Sequence, residues 1–227
     1  MQPSNRLIVA LDLPQRSEIL SMAKALSGKV GMVKVGLEAF IAHGPSLVSE
    51  LREMGHEIFL DLKVHDIPRT AAAAAKQADQ LGASLLTVHA AGGEEMIRAA
   101  REAASDNLKI VAVTVLTSFD AAGFAQVGYK DDIPTSAVTL AGVALEAGAD
   151  GVVCSALELE RLAPQGGLRV VPGIRPAGAA AGDQKRVVTP GQAVEQGATW
   201  IVVGRPIVQS PNPVQAAEAI VQELAGA

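Results

Sequence analysis

The sequence predicts an α/β protein folded as a single-domain (β/α)8 TIM barrel over residues 1–227, an expectation that three observations carry. Short apolar runs recur eight times with helical segments between them, and several of those segments end on glycine. The length of 227 residues fits eight βα units and leaves little for a second domain. The runs fall at 7–11, 32–35, 58–62, 85–89, 110–115, 151–154, 169–171 and 200–203, each about as long as a buried parallel strand. Apolar positions at helical spacing support helices over 17–26 and 45–54, the Ala-rich run 71–75 supports one over 69–81, and a Gly-Gly turn precedes one over 94–104. Further helices are expected over 136–147, 156–162, 190–196 and 212–224. Gly55, Gly82, Gly148 and Gly197 stand where a helix gives way to the next strand. The longer loops 117–135 and 173–189 contain glycine and are candidate lids. An open doubly wound sheet is the structural alternative, but its G-x-G-x-x-G fingerprint is absent.

Composition narrows the function. Hydrophobic residues make up 49% and charged residues 19%, enough apolar surface for a packed core. Aromatics are scarce, with four Phe, one Trp and one Tyr, so base-stacking platforms for nucleic acid are not expected. The formal net charge of −5 has the wrong sign for a general polyanion binder, and any anion must be caught locally. Cys154 is the only cysteine and lies in the apolar run GVVC, which fits a structural thiol in a reducing compartment. The first residues lack a signal-peptide pattern, and no stretch approaches the ~20 apolar residues of a membrane span. A cytoplasmic protein without a membrane partner is therefore expected.

Ionisable residues interrupt the strand pattern at one end. Parallel barrel strands are apolar on both faces, and charges at their C-terminal ends mark the face where barrel active sites form. Asp12 ends LIVALD, Lys34 sits inside MVKVG, Asp61 and Lys63 close IFLDLK, and His89 ends LLTVH. Residues two apart on a strand share a face, so Asp61 and Lys63 are expected to point together while Leu62 faces the helices. Asp66 follows the strand, just before Pro68 at an expected helix start. Each charge alone reads equally well as a solvated loop residue; together Lys34, Asp61, Lys63 and Asp66 form an alternating cluster that stability alone does not explain. A metal site from Asp61, His65 and Asp66 is disfavoured because Lys63 between them repels a cation. The seventh and eighth strands lead into PGIRP and GRP, where Gly173, Arg175, Gly204 and Arg205 suit a phosphate, and Gly182-Asp183-Gln184 between them offers an amide donor. Two ordinary surface arginines are the plainer reading, and their paired placement in adjacent loops argues against it.

With these residues in hand, the chain resembles the orotidine 5′-phosphate decarboxylase family over essentially its whole length. The family pattern D-x-K-x-x-D-I-P-x-T is present as Asp61, Lys63, Asp66, Ile67, Pro68 and Thr70, with VALD, VKVG, VHA, VTVLTS, PGIRP, GDQ and GRPI in family order. The resemblance implies decarboxylation of orotidine 5′-monophosphate to UMP in pyrimidine biosynthesis, without metal or organic cofactor. It implies a catalytic tetrad of Lys34, Asp61, Lys63 and Asp66 with Lys63 as the acid. It further implies a homodimer with shared active sites, in which Asp66, Ile67 and Thr70 come from the second subunit. Asp12 and Lys34 are implied to bind the ribose, Thr117 or Ser118 the base, and Gln184, Gly204 and Arg205 the phosphate, with Arg175 nearby. Two rivals remain: a Mg²⁺-dependent sugar-phosphate decarboxylase or synthase on a related barrel, and a non-catalytic phosphate-ligand binding protein on the same scaffold.

Overall fold

The computed structural model describes residues 1–176 and 188–226. Eight parallel strands close a barrel in sequence order: β1 (Leu7–Ala10), β2 (Met32–Gly36), β3 (Glu57–Val64), β4 (Leu85–His89), β5 (Lys109–Val113), β6 (Gly151–Val153), β7 (Leu168–Val171) and β8 (Trp200–Val203), with β8 pairing back to β1. Between and after them run α1 (Arg16–Leu26), α2 (Leu37–Glu53), α3 (Pro68–Gln80), α4 (Gly93–Glu102), α5 (Ala121–Gln126), α6 (Ile133–Glu146), α7 (Leu159–Leu162), α8 (Pro190–Glu195), α9 (Arg205–Val208) and α10 (Pro213–Ala225).

Two apolar layers hold the barrel, and strand alternation separates them. Residues such as Leu7, Val9, Val33, Ile58, Leu60 and Leu86 pack outward against the helices. Ile8, Ala10, Met32, Phe59, Leu85, Val111, Val170 and Val202 fill the interior. The inner positions climb from this apolar plug toward polar groups at the strand ends. Thus Phe59 is followed on its face by Asp61, Met32 by Lys34 and Leu85 by Thr87. Burial of the plug leaves the mouth as the only end where these charges can be solvated or bind.

The structure departs from the sequence expectation at several elements. Helix α2 begins at Leu37 rather than near residue 45, because two helical segments meet across a kink at Gly44, whose φ of 66° only glycine adopts easily, followed by Pro45. The expected loop 117–135 contains α5, which Asp120 caps by accepting from the Gly123 backbone N–H. Strand β5 ends at Val113, so Thr114 and Val115 lie past it. The expected helix 156–162 is a 3-10 turn, Ala156–Glu158, running into the single turn of α7. Most of the expected loop 173–189 lies outside the described residues.

Candidate active site

At the mouth, Lys34, Asp61 and Lys63 form one connected cluster. Lys63 Nζ donates to Asp61 Oδ1 at 2.7 Å, and Lys34 Nζ stands 3.6 Å from Asp61 Oδ2 and 3.0 Å from Asp12 Oδ1. Two ammonium groups thus alternate with two carboxylates along the ends of β1, β2 and β3. Lys34 is 8% exposed, a burial that a lysine tolerates only with its charge paired. Gly36 makes the pairing possible, since a Cβ there would sit 2.8 Å from Lys34 Nζ and 3.0 Å from Asp12 Oδ1.

Lys63 reaches Asp61 by a route that simple alternation does not foresee. Its φ is 48°, the only positive value among described non-glycine residues. For a residue with a Cβ such a conformation costs about 1–3 kcal/mol and persists only when neighbours over-determine it. The β3–β4 register shifts between Leu60 and Val64, so the strand bulges where it carries its charges. The Lys63 backbone N–H donates to Thr87 Oγ1 at 2.8 Å, and that hydroxyl lies 3.1 Å from Asp61 Oδ1. Beside this bulge the rings of His65 and His89 stack with centroids 5.3 Å apart. Burial, then His65 and then Lys63, hold the His89 pKa below its ordinary 6.5, against a smaller opposing pull from Asp61. Cys154 is buried, and desolvation pushes its thiol up to about 12, as expected of a structural cysteine.

Two cavities meet at Lys34, Pro172 and Val202. The deeper one, about 180 Å³, has Lys34, Asp61 and Lys63 on one side and Val113, Val153, Val170 and Val202 on the other. The cavity thus has an apolar wall and a charged one. The second, about 170 Å³, is bounded by Asp12, Gly173, Arg175, Gly204 and Arg205. Arg175 is 5% exposed and Arg205 opens α9, so both phosphate-site arginines expected from sequence line one cavity. Thr117 lines the deeper cavity, whereas Ser118 is not among its lining residues. Gln184 lies outside the described residues. Asp66, Ile67 and Thr70 are exposed beyond β3, and the Asp66 carboxylate accepts the Ile67 backbone N–H at 2.7 Å. Among the described residues no group of three or more His, Cys, Asp or Glu side chains is placed to hold a metal ion.

Comparison with known proteins decides the family. Residues 5–220 match the model of the orotidine 5′-phosphate decarboxylase / HUMPS family. The chain is 50% identical to the orotidine 5′-phosphate decarboxylase of Anaeromyxobacter dehalogenans over 227 residues, covering 99% of this chain and 100% of the relative. The chain belongs to this family. The decarboxylase of Dichelobacter nodosus is 48% identical over 96% of this chain and 98% of its own. The crystal structure of orotidine 5′-phosphate decarboxylase from Lactobacillus acidophilus superposes with a TM-score of 0.85 at 38% identity, over 96% of this chain and 98% of that one. The expected barrel and the expected family both hold. The orotidine 5′-phosphate decarboxylase pattern that pointed to them omits Thr87, and it contains Gly36 in VKVG and His89 in VHA without giving either a role. Thr87 and Gly36 lie inside β4 and β2, where a β-branched residue and a terminal glycine read as ordinary strand features.

Proposed function

We propose that this chain decarboxylates orotidine 5′-monophosphate to UMP in pyrimidine biosynthesis, with Lys63 as the acid and Lys34, Asp61 and a partner subunit's Asp66 completing a shared site. The observation that carries the reading is the Lys63–Asp61–Lys34 chain opening into a cavity continuous with the Arg175 and Arg205 pocket. Cleavage of the bond between C6 and its carboxylate releases CO2 and leaves the electron pair on C6, where no adjacent π system accepts it. The developing charge must then be met by fixed positive groups in a water-poor cavity. Lys63 supplies one, and transfer of its Nζ proton to C6 gives UMP and a neutral amine that solvent reprotonates. Asp61 at 2.7 Å holds the Lys63 Nζ in place before the step. Asp12 and Lys34 are suited to the ribose hydroxyls between the two cavities, Thr117 or Ser118 to the base, and Gln184, Gly204, Arg175 and Arg205 to the phosphate.

No step of this reaction runs through a metal or an organic cofactor. No described helix is long and apolar enough to cross a membrane. The proposed setting is a cytoplasmic homodimer, and the net charge of −5 with few aromatic residues speaks against a nucleic-acid partner. The test is the loss of orotidine 5′-monophosphate absorbance with purified protein in excess chelator. Turnover by the wild type and at least a thousandfold loss on Lys63→Ala, with UMP affinity kept within about tenfold, is expected. Activity that returns only with Mg²⁺ would move the chain to the sugar-phosphate branch, and Lys63→Ala with substantial kcat would remove the acid assignment.

A further inference from the structure

We propose that Thr87 is a positioning residue that holds Asp61 and Lys63 in their working arrangement through a single hydroxyl. The inference rests on the reading of Lys63 as the acid. Between the paired positions Leu60↔Leu86 and Val64↔Val88, β3 carries Asp61, Leu62 and Lys63 while β4 carries only Thr87. Three residues face one, so ordinary ladder hydrogen bonds cannot serve this stretch. The Thr87 side chain does so instead.

The polarity of the two contacts is fixed by chemistry. A backbone N–H only donates, so at 2.8 Å from Lys63 N the Thr87 oxygen accepts. Its one hydroxyl proton is then left for Asp61 Oδ1 at 3.1 Å, an oxygen free to accept it. One atom therefore ties the left-handed backbone of Lys63 to the carboxylate its ammonium contacts. Thr87 is fully buried, so water does not substitute on either side. The second donor also gives Asp61 a partner that keeps its proton when Lys63 gives one up, so the carboxylate stays in place through the transfer.

Substitution can separate the Thr87 hydroxyl from the shape of its side chain. Thr87→Val keeps the shape and removes both hydrogen bonds; Thr87→Ser keeps the hydroxyl and trims a methyl. For Thr87→Val, kcat is expected to fall about 10- to 100-fold while UMP affinity by calorimetry stays within about twofold, since misplacement of a reacting group costs rate more than binding. The Lys63 backbone amide, having lost its acceptor, is expected to exchange hydrogen faster. Thr87→Ser is expected to restore kcat to within about threefold of wild type. If Thr87→Val proves too unstable to purify, Thr87→Cys against Thr87→Ser makes the same comparison, because a thiol is a weak partner on both sides. Unchanged kcat in Thr87→Val, or losses in Thr87→Ser equal to those in Thr87→Val, would overturn the proposal. Lys63→Ala is assayed alongside: activity retained there defeats the acid assignment, whereas loss there with none at Thr87→Val defeats only this inference.

Discussion

His89 ends an apolar strand in surroundings that disfavour its charged form, and that has a consequence for stability. Burial and the facing His65 and Lys63 lower its pKa in the folded chain, with Asp61 opposing them less strongly. The unfolded chain keeps a value near 6.5, so below that pH it binds a proton that the folded chain refuses. Unfolded protein then carries more protons than folded, and stability rises with pH across this window and is lost as pH falls below about 6.5. A chemical-denaturation midpoint measured at about pH 7.5 and about pH 5.5 is expected to drop in the wild type and to drop less in His89→Gln, which cannot be protonated. An equal drop in both proteins would assign the pH dependence to other groups. At the same scale, the positive φ of Lys63 shows where folding stability yields to the geometry of the site.

Among the elements, strands were far easier to read than the features inside them. All eight strands were legible because burial on both faces demands uninterrupted Val, Ile and Leu, as in WIVV of β8 and LIVA of β1. Helix α2 was half missed, since Gly44-Pro45 looks like a boundary and is instead a kink that the flanking turns tolerate. The charged residues were found because charge is conspicuous inside a buried strand. Thr87 was not, because its hydroxyl becomes significant only when the β3 bulge brings Lys63 N and Asp61 to it, a long-range fact absent from the local pattern. Gly36, at the end of β2, has the same character. A methyl there would collide with the end of the flexible Lys34 side chain, which can move aside, so the backbone has no need to shift. For Gly36→Ala the melting temperature is accordingly expected to stay within about 3 °C, while kcat/KM falls about 10- to 100-fold as the ammonium is displaced from Asp12 and Asp61. A variant with wild-type kinetics would show that Lys34 need not occupy this place.

For the whole molecule, the question is how many chains make one site. Within one protomer the described cluster ends at Lys63, and the next carboxylate in the motif, Asp66, lies exposed past the strand end. Ile67 beside it is 64% exposed, and Leu37 and Ile41 on α2, after the neighbouring strand β2, are 46% and 79% exposed. An apolar fringe on one side of the mouth suits burial against a second copy of the chain, which is the homodimer proposed above. In the proposed homodimer each of the two symmetry-related sites would take Lys63 from one chain and Asp66 from the other. Homodimers of Lys63→Ala and of Asp66→Ala are each expected to be nearly inactive. A mixed dimer holds one site carrying both substitutions and one carrying neither. Random exchange makes about half of all dimers mixed, each with one intact site of two, so about a quarter of wild-type activity is expected to return on mixing. Mass spectrometry of isotopically labelled subunits reports whether exchange has occurred. If it has and the mixture stays inactive, Asp66 serves the site of its own chain, and each barrel works alone.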